Sequence, residues 1–397
     1  MNFELMKKKE FRNFFLADII SGFGVGMTTV GANWYMLQQT HSNKYVGLYL
    51  TINVLAGFLM SPIAGVLTDK YPRKIVILFT FLGRALPMML ISAYFYLNGF
   101  SIGLMYLLSI LTGAGWITYM AASRSYVQII LPPELLGTAN SFIEVSLQVG
   151  MFAAGALSGI ILHYTGFMVI LIINILVFLI ASMLIVTVKK DQVIPAGVEN
   201  TSSFISGIQY VWRHKLILSV GILSILPLIV TQLFNVSSPD YVSTILKANS
   251  VVYGFSDMAY GIGGLISGLI MGSIISRVSN RSIIVLFFSV AAIALFSLFI
   301  GDKILLMYFG SLLIGLSNSS LRIVINTILM EQVDKAYMGR ATSLWNGTAQ
   351  FIEIFASTGM GFANDKFGAD FGFFIMFVIM IVGAVWSLGV LKKKRDA

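Results

Sequence analysis

The 397-residue chain is 57% hydrophobic and 11% charged, with a formal net charge of +9. Soluble domains carry about 25% charged and 45–50% apolar residues, so this chain holds more apolar surface than a soluble core can hide, and the surplus must face lipid. Cysteine is absent and the three histidines, His41, His163 and His214, are scattered. That excludes disulfides, thiolate metal sites and a cysteine nucleophile, and no metal, cofactor or catalytic residue is assigned.

A bilayer core of about 30 Å takes about 20 mostly apolar residues per helix. The apolar runs predict an all-α integral membrane protein of twelve transmembrane helices, at 12–40, 45–68, 75–97, 101–123, 138–162, 167–188, 216–238, 251–275, 282–301, 304–327, 340–361 and 370–391. Backbone groups in lipid must be satisfied within their own segment, which favours helices, and the short alternating runs of a membrane barrel are missing. Lys7, Lys8 and Lys9 precede the first run without the short apolar core and cleavage site of a signal peptide. Both termini are therefore expected in the cytoplasm of a bacterial cell. With that orientation, 20 of the 26 Lys and Arg residues lie on cytoplasmic segments, 4 lie outside (Lys44, Lys247, Lys303 and Lys366) and 2 lie within helices, Arg84 and Arg322. The positive charge thus reads as the inside bias of membrane loops rather than as a nucleic-acid surface.

The longest polar connection, about Lys189 to Lys215, divides six helices from six. It gives an expected N-terminal bundle at 1–190, a cytoplasmic central loop at 191–215 and a C-terminal bundle at 216–397. The halves resemble each other. SPIAGVLTDKYPRKIVIL, from Ser61, aligns with MGSIISRVSNRSIIVLF, from Met271, and ELLGTANSF, from Glu134, aligns with AYMGRATSL, from Ala336. Paired six-helix repeats suggest a transporter with its substrate site between the halves.

The loop between the second and third helices reads Gly65, Val66, Leu67, Thr68, Asp69, Lys70, Tyr71, Pro72, Arg73, Lys74. It resembles the G-x-L-x-D-R-x-G-R-R/K signature of the major facilitator superfamily, with Pro72 where the pattern has its second glycine. Ser123, Arg124, Ser125, Pro132, Glu134, Leu135, Ala139 and Asn140 around the fourth and fifth helices resemble the macrolide-efflux and enterobactin-exporter-like branch. So do Gly207, Tyr210, Arg213 and His214 before the seventh, and Asn326, Thr327, Gly339 and Arg340 around the tenth and eleventh. The resemblance implies two pseudo-symmetric six-helix bundles, alternating access and a monomer. It also implies that Gly65, Asp69, Arg73 and Lys74 form a cytoplasmic latch. The branch's antiporter element has a Gly-Pro pair in helix 5, whereas here Gly155 is followed by Ala156.

Charges inside a membrane helix cost about 2.5–3.5 kcal/mol at its centre, so they persist when paired, wetted or used. The candidates for substrate binding or proton coupling are Asp18, Arg84, Glu144, Asp257, Arg322 and Glu353. Asp18 reads equally as an interfacial carboxylate near a helix start, Arg84 as a structural cation pairing inward, and Arg322 as a snorkelling side chain near a helix end. Trp34, Trp116, Tyr119 and Trp345 are candidate cavity aromatics, though Trp and Tyr near helix ends also serve as interface anchors. The expected function is proton-coupled export of an amphipathic small molecule across the plasma membrane, either a siderophore-like metallophore or a drug such as a macrolide. A nutrient symporter is the alternative, ahead of a non-transporting sensor or channel. No enzyme activity, cofactor or nucleic-acid partner is expected.

Overall fold

A computed structural model describes residues 4–131, 133–188 and 204–390. The apolar runs fold as helices, and twelve long ones fall where the sequence places them. In the first half these are α2 (Lys9–Thr40), α3 (Asn43–Lys70), α4 (Arg73–Asn98), α5 (Ile102–Ile130), α6 (Pro133–Thr165) and α7 (Phe167–Val186). In the second they are α9 (Lys215–Asp240), α10 (Ser250–Ile275), α11 (Asn280–Ile300), α12 (Ile304–Gln332), α13 (Lys335–Phe367) and α14 (Ala369–Val390). Two short helices join them, α1 (Glu4–Lys7) and α8 (Phe204–Arg213), and a π-helical turn, Tyr241–Ile245, extends α9.

Among the described residues, ten of the long helices are apolar enough over 18 residues to cross a membrane. The other two, α6 and α13, run 33 residues each. In α6 the stretch Val149–Thr165 is apolar. Helix α13 carries Arg340, Glu353, Asp365 and Lys366 along its length.

The chain divides into two compact units, Met1–His41 with Tyr49–Gly197, and Ser42–Leu48 with Val198–Ala397. Each repeats the same internal packing. In the first, α2 packs on α6 and α7, and α4 on α5 and α7. In the second, α9 packs on α13 and α14, α11 on α12 and α14, and α10 on α12. A close approach of the second and fourth long helices recurs in both. A Cβ placed on Gly113 of α5 would lie 2.1 Å from the Asn53 carbonyl of α3, and one on Gly315 of α12 would lie 1.9 Å from the Tyr260 carbonyl of α10. Only glycine permits backbones to meet this way. Asn53 Nδ2 then donates to the Ser109 carbonyl at 3.1 Å and to Thr112 Oγ1 at 2.9 Å.

The second unit holds the first turns of α3. Asp365 of α13 accepts from the backbone N–H of Asn43 (2.6 Å) and Lys44 (3.1 Å) and from the Ser42 hydroxyl (2.5 Å). A carboxylate at a helix N-terminus satisfies donors that have no intrahelical partner and meets the positive end of the helix dipole. Asn43 Nδ2 also donates to Asp240 at 3.1 Å.

The C-terminal end of the stretch read as a polar connection is the amphipathic helix α8. It packs on α9 and α13, where Tyr210 stacks on Tyr337 with ring centroids 4.3 Å apart. Residues 189–203, with Lys189 and Lys190, and the terminal Lys392, Lys393, Lys394 and Arg395 lie outside the described residues.

Candidate functional site

In the first unit, α2, α4 and α5 bring three polar side chains into an aromatic interior. Helix α2 begins at Lys9, so Asp18 sits nine residues in. It is 1% exposed, which corrects its reading as an interfacial carboxylate near the helix start. Tyr119 of α5, a cavity-aromatic candidate, is buried and donates its hydroxyl to Asp18 Oδ1. Arg84 of α4 lies within electrostatic reach of Tyr119. Its guanidinium packs 5.2 Å from the Phe178 ring centroid of α7, and Phe81 bridges the Tyr119 and Phe178 rings at 5.2 and 6.0 Å.

Arg84 does point inward, but among the described residues it forms no ion pair of the expected kind. Its Nε and Nη2 are buried without a hydrogen-bond partner. A desolvated cation–π contact contributes about 2 kcal/mol, against an insertion cost of about 2.5–3.5 kcal/mol for the charge. Room for the head comes from Gly115, where a Cβ would stand 2.2 Å from Arg84 Nε.

In the second unit, α9, α10, α12 and α13 assemble a larger polar group. The Tyr260 hydroxyl lies 2.8 Å from Thr231 Oγ1 and accepts from Asn318 Nδ2 at 3.1 Å. Asn318 Nδ2 also donates to Thr231 at 3.2 Å, and Phe234 stacks on Tyr260 at 5.5 Å. Two of the charged candidates act on Tyr260 of this triad, and one of them also acts on a third. Asp257 and Arg322 are both in electrostatic reach of Tyr260, and Arg322 is also in reach of Glu353. Helix α12 runs on to Gln332, which puts Arg322 ten residues, about 15 Å, from its end. That corrects the expectation of a cation near the helix terminus.

Sequence reasoning found the charges here and missed Thr231, Tyr260 and Asn318. A signal was present: Asp257 and Tyr260 are three apart, Asn318 and Arg322 four apart, so each pair shares a helix face. Glu144 lies on α6, the counterpart of α13, and its side chain is outside the described residues. Trp345 is buried against α9, where a Cβ on Gly221 would lie 2.0 Å from its ring. Trp34 is buried and Trp116 half-buried.

The loop motif organises the first unit. Pro72, where the pattern has glycine, takes the position before α4 at φ −54°, ψ 128°, a geometry proline adopts without strain. Arg73 Nε donates to Ser125 Oγ of α5 at 3.2 Å. Lys74 Nζ donates to the Val186 carbonyl that ends α7, at 2.8 Å, and to the Val188 carbonyl just beyond it. Gly65 has open space around it, and Asp69 is exposed at the end of α3. Among the described residues, no three His, Asp or Glu side chains gather as a metal site.

The family model of the Major Facilitator Superfamily matches residues 14–239 and 220–397. The chain belongs to that superfamily. Among its relatives, the uncharacterized MFS-type transporter YfmI of Bacillus subtilis is 22% identical over 408 residues, spanning 98% of both chains. The enterobactin exporter EntS of Citrobacter koseri is 28% identical over 179 residues, covering 42% of this chain and 40% of that one. Two facilitator crystal structures share the fold. The nucleoside transporter NupG superposes with TM-score 0.79 at 14% identity, covering 96% of this chain and all of that one. A D-xylose-proton symporter gives 0.76 at 15%, covering 96% of both. This facilitator is a multi-pass membrane transporter.

Proposed function

We propose that this facilitator exports an amphipathic small molecule, a siderophore-like metallophore or a drug such as a macrolide, in exchange for protons. The observation that carries the reading is the polar group of the second unit. Asp257 and Glu353 stand within long helices, Asp257 in electrostatic reach of Tyr260 in the Tyr260–Thr231–Asn318 triad and Glu353 in reach of Arg322. Carboxylates are retained inside a membrane when they do work there, and an acid next to a cation and neutral hydroxyls is suited to exchange a proton for cargo. The partial likeness to an enterobactin exporter supports the outward direction.

In this reading the halves 1–190 and 216–397 alternate access in the plasma membrane, with both termini cytoplasmic and the chain acting as a monomer. Asp69, exposed in the last turn of α3 ahead of Arg73 and Lys74, serves as the latch that closes the cytoplasmic side. Glu144 takes part in proton coupling from α6.

The test is transport in energised inverted membrane vesicles, with erythromycin and enterobactin as probes. Glu353→Gln and Asp257→Asn keep the shape and remove the acid. We expect at least a tenfold loss of proton-driven accumulation with normal protein levels in the membrane. Full activity of both variants sinks the antiport reading, and inward movement of a nutrient with no exported probe replaces it with symport.

A further inference from the structure

A cavity lies wholly inside the first unit, among α3, α4 and α5. It has a volume of about 410 Å³, within the roughly 300–1,000 Å³ of small-molecule pockets. Leu67, Ile75, Phe79, Ile110 and Leu111 make much of its wall. The wall offers a ligand no polar handle. The Thr80 and Thr118 hydroxyls in the lining donate to carbonyls of their own helices, at Val76 (2.7 Å) and Ala114 (2.8 Å). Arg84 keeps its head against Gly115 and the Phe178 ring. The mouth opens on the apolar outside of the unit, where Phe79 is 70% exposed and Ile110 44%. No charged residue occurs from Met60 to Thr68 on α3 or from Ile75 to Gly83 on α4. At one end the lining reaches Tyr71, in the α3–α4 turn. The exposed Lys70 ammonium stands 5.7 Å from the Tyr71 ring centroid.

We propose that this cavity seats one acyl chain of a phospholipid, drawn from the leaflet on the side of the α3–α4 turn, with the lipid phosphate at Lys70. The site is separate from the polar group of the second unit. Length and polarity decide the occupant. From Ile75 to Arg84 the lining follows α4 for nine residues, about 14 Å, and half of a bilayer core is about 15 Å. A phospholipid chain runs over that same span, from the headgroup level to the middle of the membrane. Its phosphate stays at the surface, where a lysine beside an exposed tyrosine is suited to meet it. A ligand with buried polar groups would leave them unpaired against this wall, whereas a hydrocarbon chain leaves none.

The experiment is photolabelling of the purified full-length protein in nanodiscs, read residue by residue by mass spectrometry. The probe is a phosphatidylglycerol with a diazirine midway along one chain, compared with a diacylglycerol bearing the same chain. Label on Leu111 and Ala114 of α5 is expected at least fivefold above that on Ile293 of α11, an apolar residue 69% exposed outside the cavity. Gly83 lines the cavity and a Cβ there meets nothing within 4 Å, so larger side chains at this position fill the space. Gly83→Phe should cut the α5 label fivefold or more and leave Ile293 unchanged, and the milder Gly83→Leu should cut it in part. Lys70→Gln should lower α5 labelling by phosphatidylglycerol about threefold and leave labelling by diacylglycerol unchanged. The proposal is overturned if the α5 label does not exceed that on Ile293, or if both Gly83 variants leave it unchanged. Equal labelling by diacylglycerol, or no effect of Lys70→Gln, overturns the phospholipid and leaves a neutral lipophile. Loss of the label to erythromycin or enterobactin overturns it in favour of a cargo site.

Discussion

The hydroxyl of Tyr260 is the point on which three helices agree, since Thr231 of α9 and Asn318 of α12 both meet it. Removing it with Tyr260→Phe leaves the ring stacked on Phe234 and takes away two hydrogen bonds. Net losses for such bonds are about 0.5–1.5 kcal/mol each. The expected outcome is a modest fall in thermal stability and a larger fall in transport, since Asn318 no longer holds a fixed orientation beside Arg322. Comparing melting temperature with initial transport rate in the same preparation checks this, and a stability loss with unchanged rate assigns the triad to packing alone. Trp345 carries a different lesson at this scale. Its indole suggested a ligand cavity, yet its ring fills the notch that Gly221 leaves on α9. An aromatic facing a glycine across two helices leaves no trace in either local sequence, because the pair is 124 residues apart.

Between elements, the decisive contacts are backbone on backbone. The α10–α12 crossing depends on Gly315, whose absent Cβ lets the Tyr260 carbonyl approach. Gly315→Ala must push the helices apart and so pulls Asn318 and Tyr260 out of register. Overpacking of this kind costs about 1–3 kcal/mol. Gly347→Ala is the control, since nothing lies within 4 Å of a Cβ there. The expectation is a lowered melting temperature and impaired transport for the first change and near-normal behaviour for the second; equal behaviour of the two refutes the role given to the crossing. Helix α8 shows why its stretch read as a linker. Its Phe204, Ile208 and Val211 recur at helical spacing, but ten residues beside Pro195, Gly197 and a run of Asn, Thr and Ser look like connection until α9 and α13 supply a surface to lie on.

At the scale of the whole molecule, the twelve helices were legible because lipid imposes a length and water imposes a charge bias on the loops. Both are properties of the chain read in order. The candidate sites were only half legible. Charges stand out against apolar runs, so Asp18, Arg84, Asp257, Arg322 and Glu353 were all named, but which of them meet depends on helix rotation, which run length does not encode. The neutral partners Thr231, Tyr260 and Asn318 blend into ordinary helix composition. Asp240 and Asp365 were passed over because they lie at helix ends, where carboxylates are common. Their role is specific all the same. Asp365 holds three donors of Ser42, Asn43 and Lys44, so Asp365→Ala should release the start of α3. Limited proteolysis near residue 42 should accelerate severalfold, and an unchanged cleavage rate would count against the cap.

The chain leaves the first unit at His41, gives Ser42–Leu48 to the second, and returns at Tyr49. Sequence order and folding unit therefore part company over seven residues. A gene fusion that joins the first 197 residues of one relative to the remainder of another hands each C-terminal partner a foreign insert in place of its own. Such hybrids should assemble poorly until residues 42–48 are matched to the donor of Asp240 and Asp365. What recombination can exchange freely here is an interleaved set of segments rather than a half-chain.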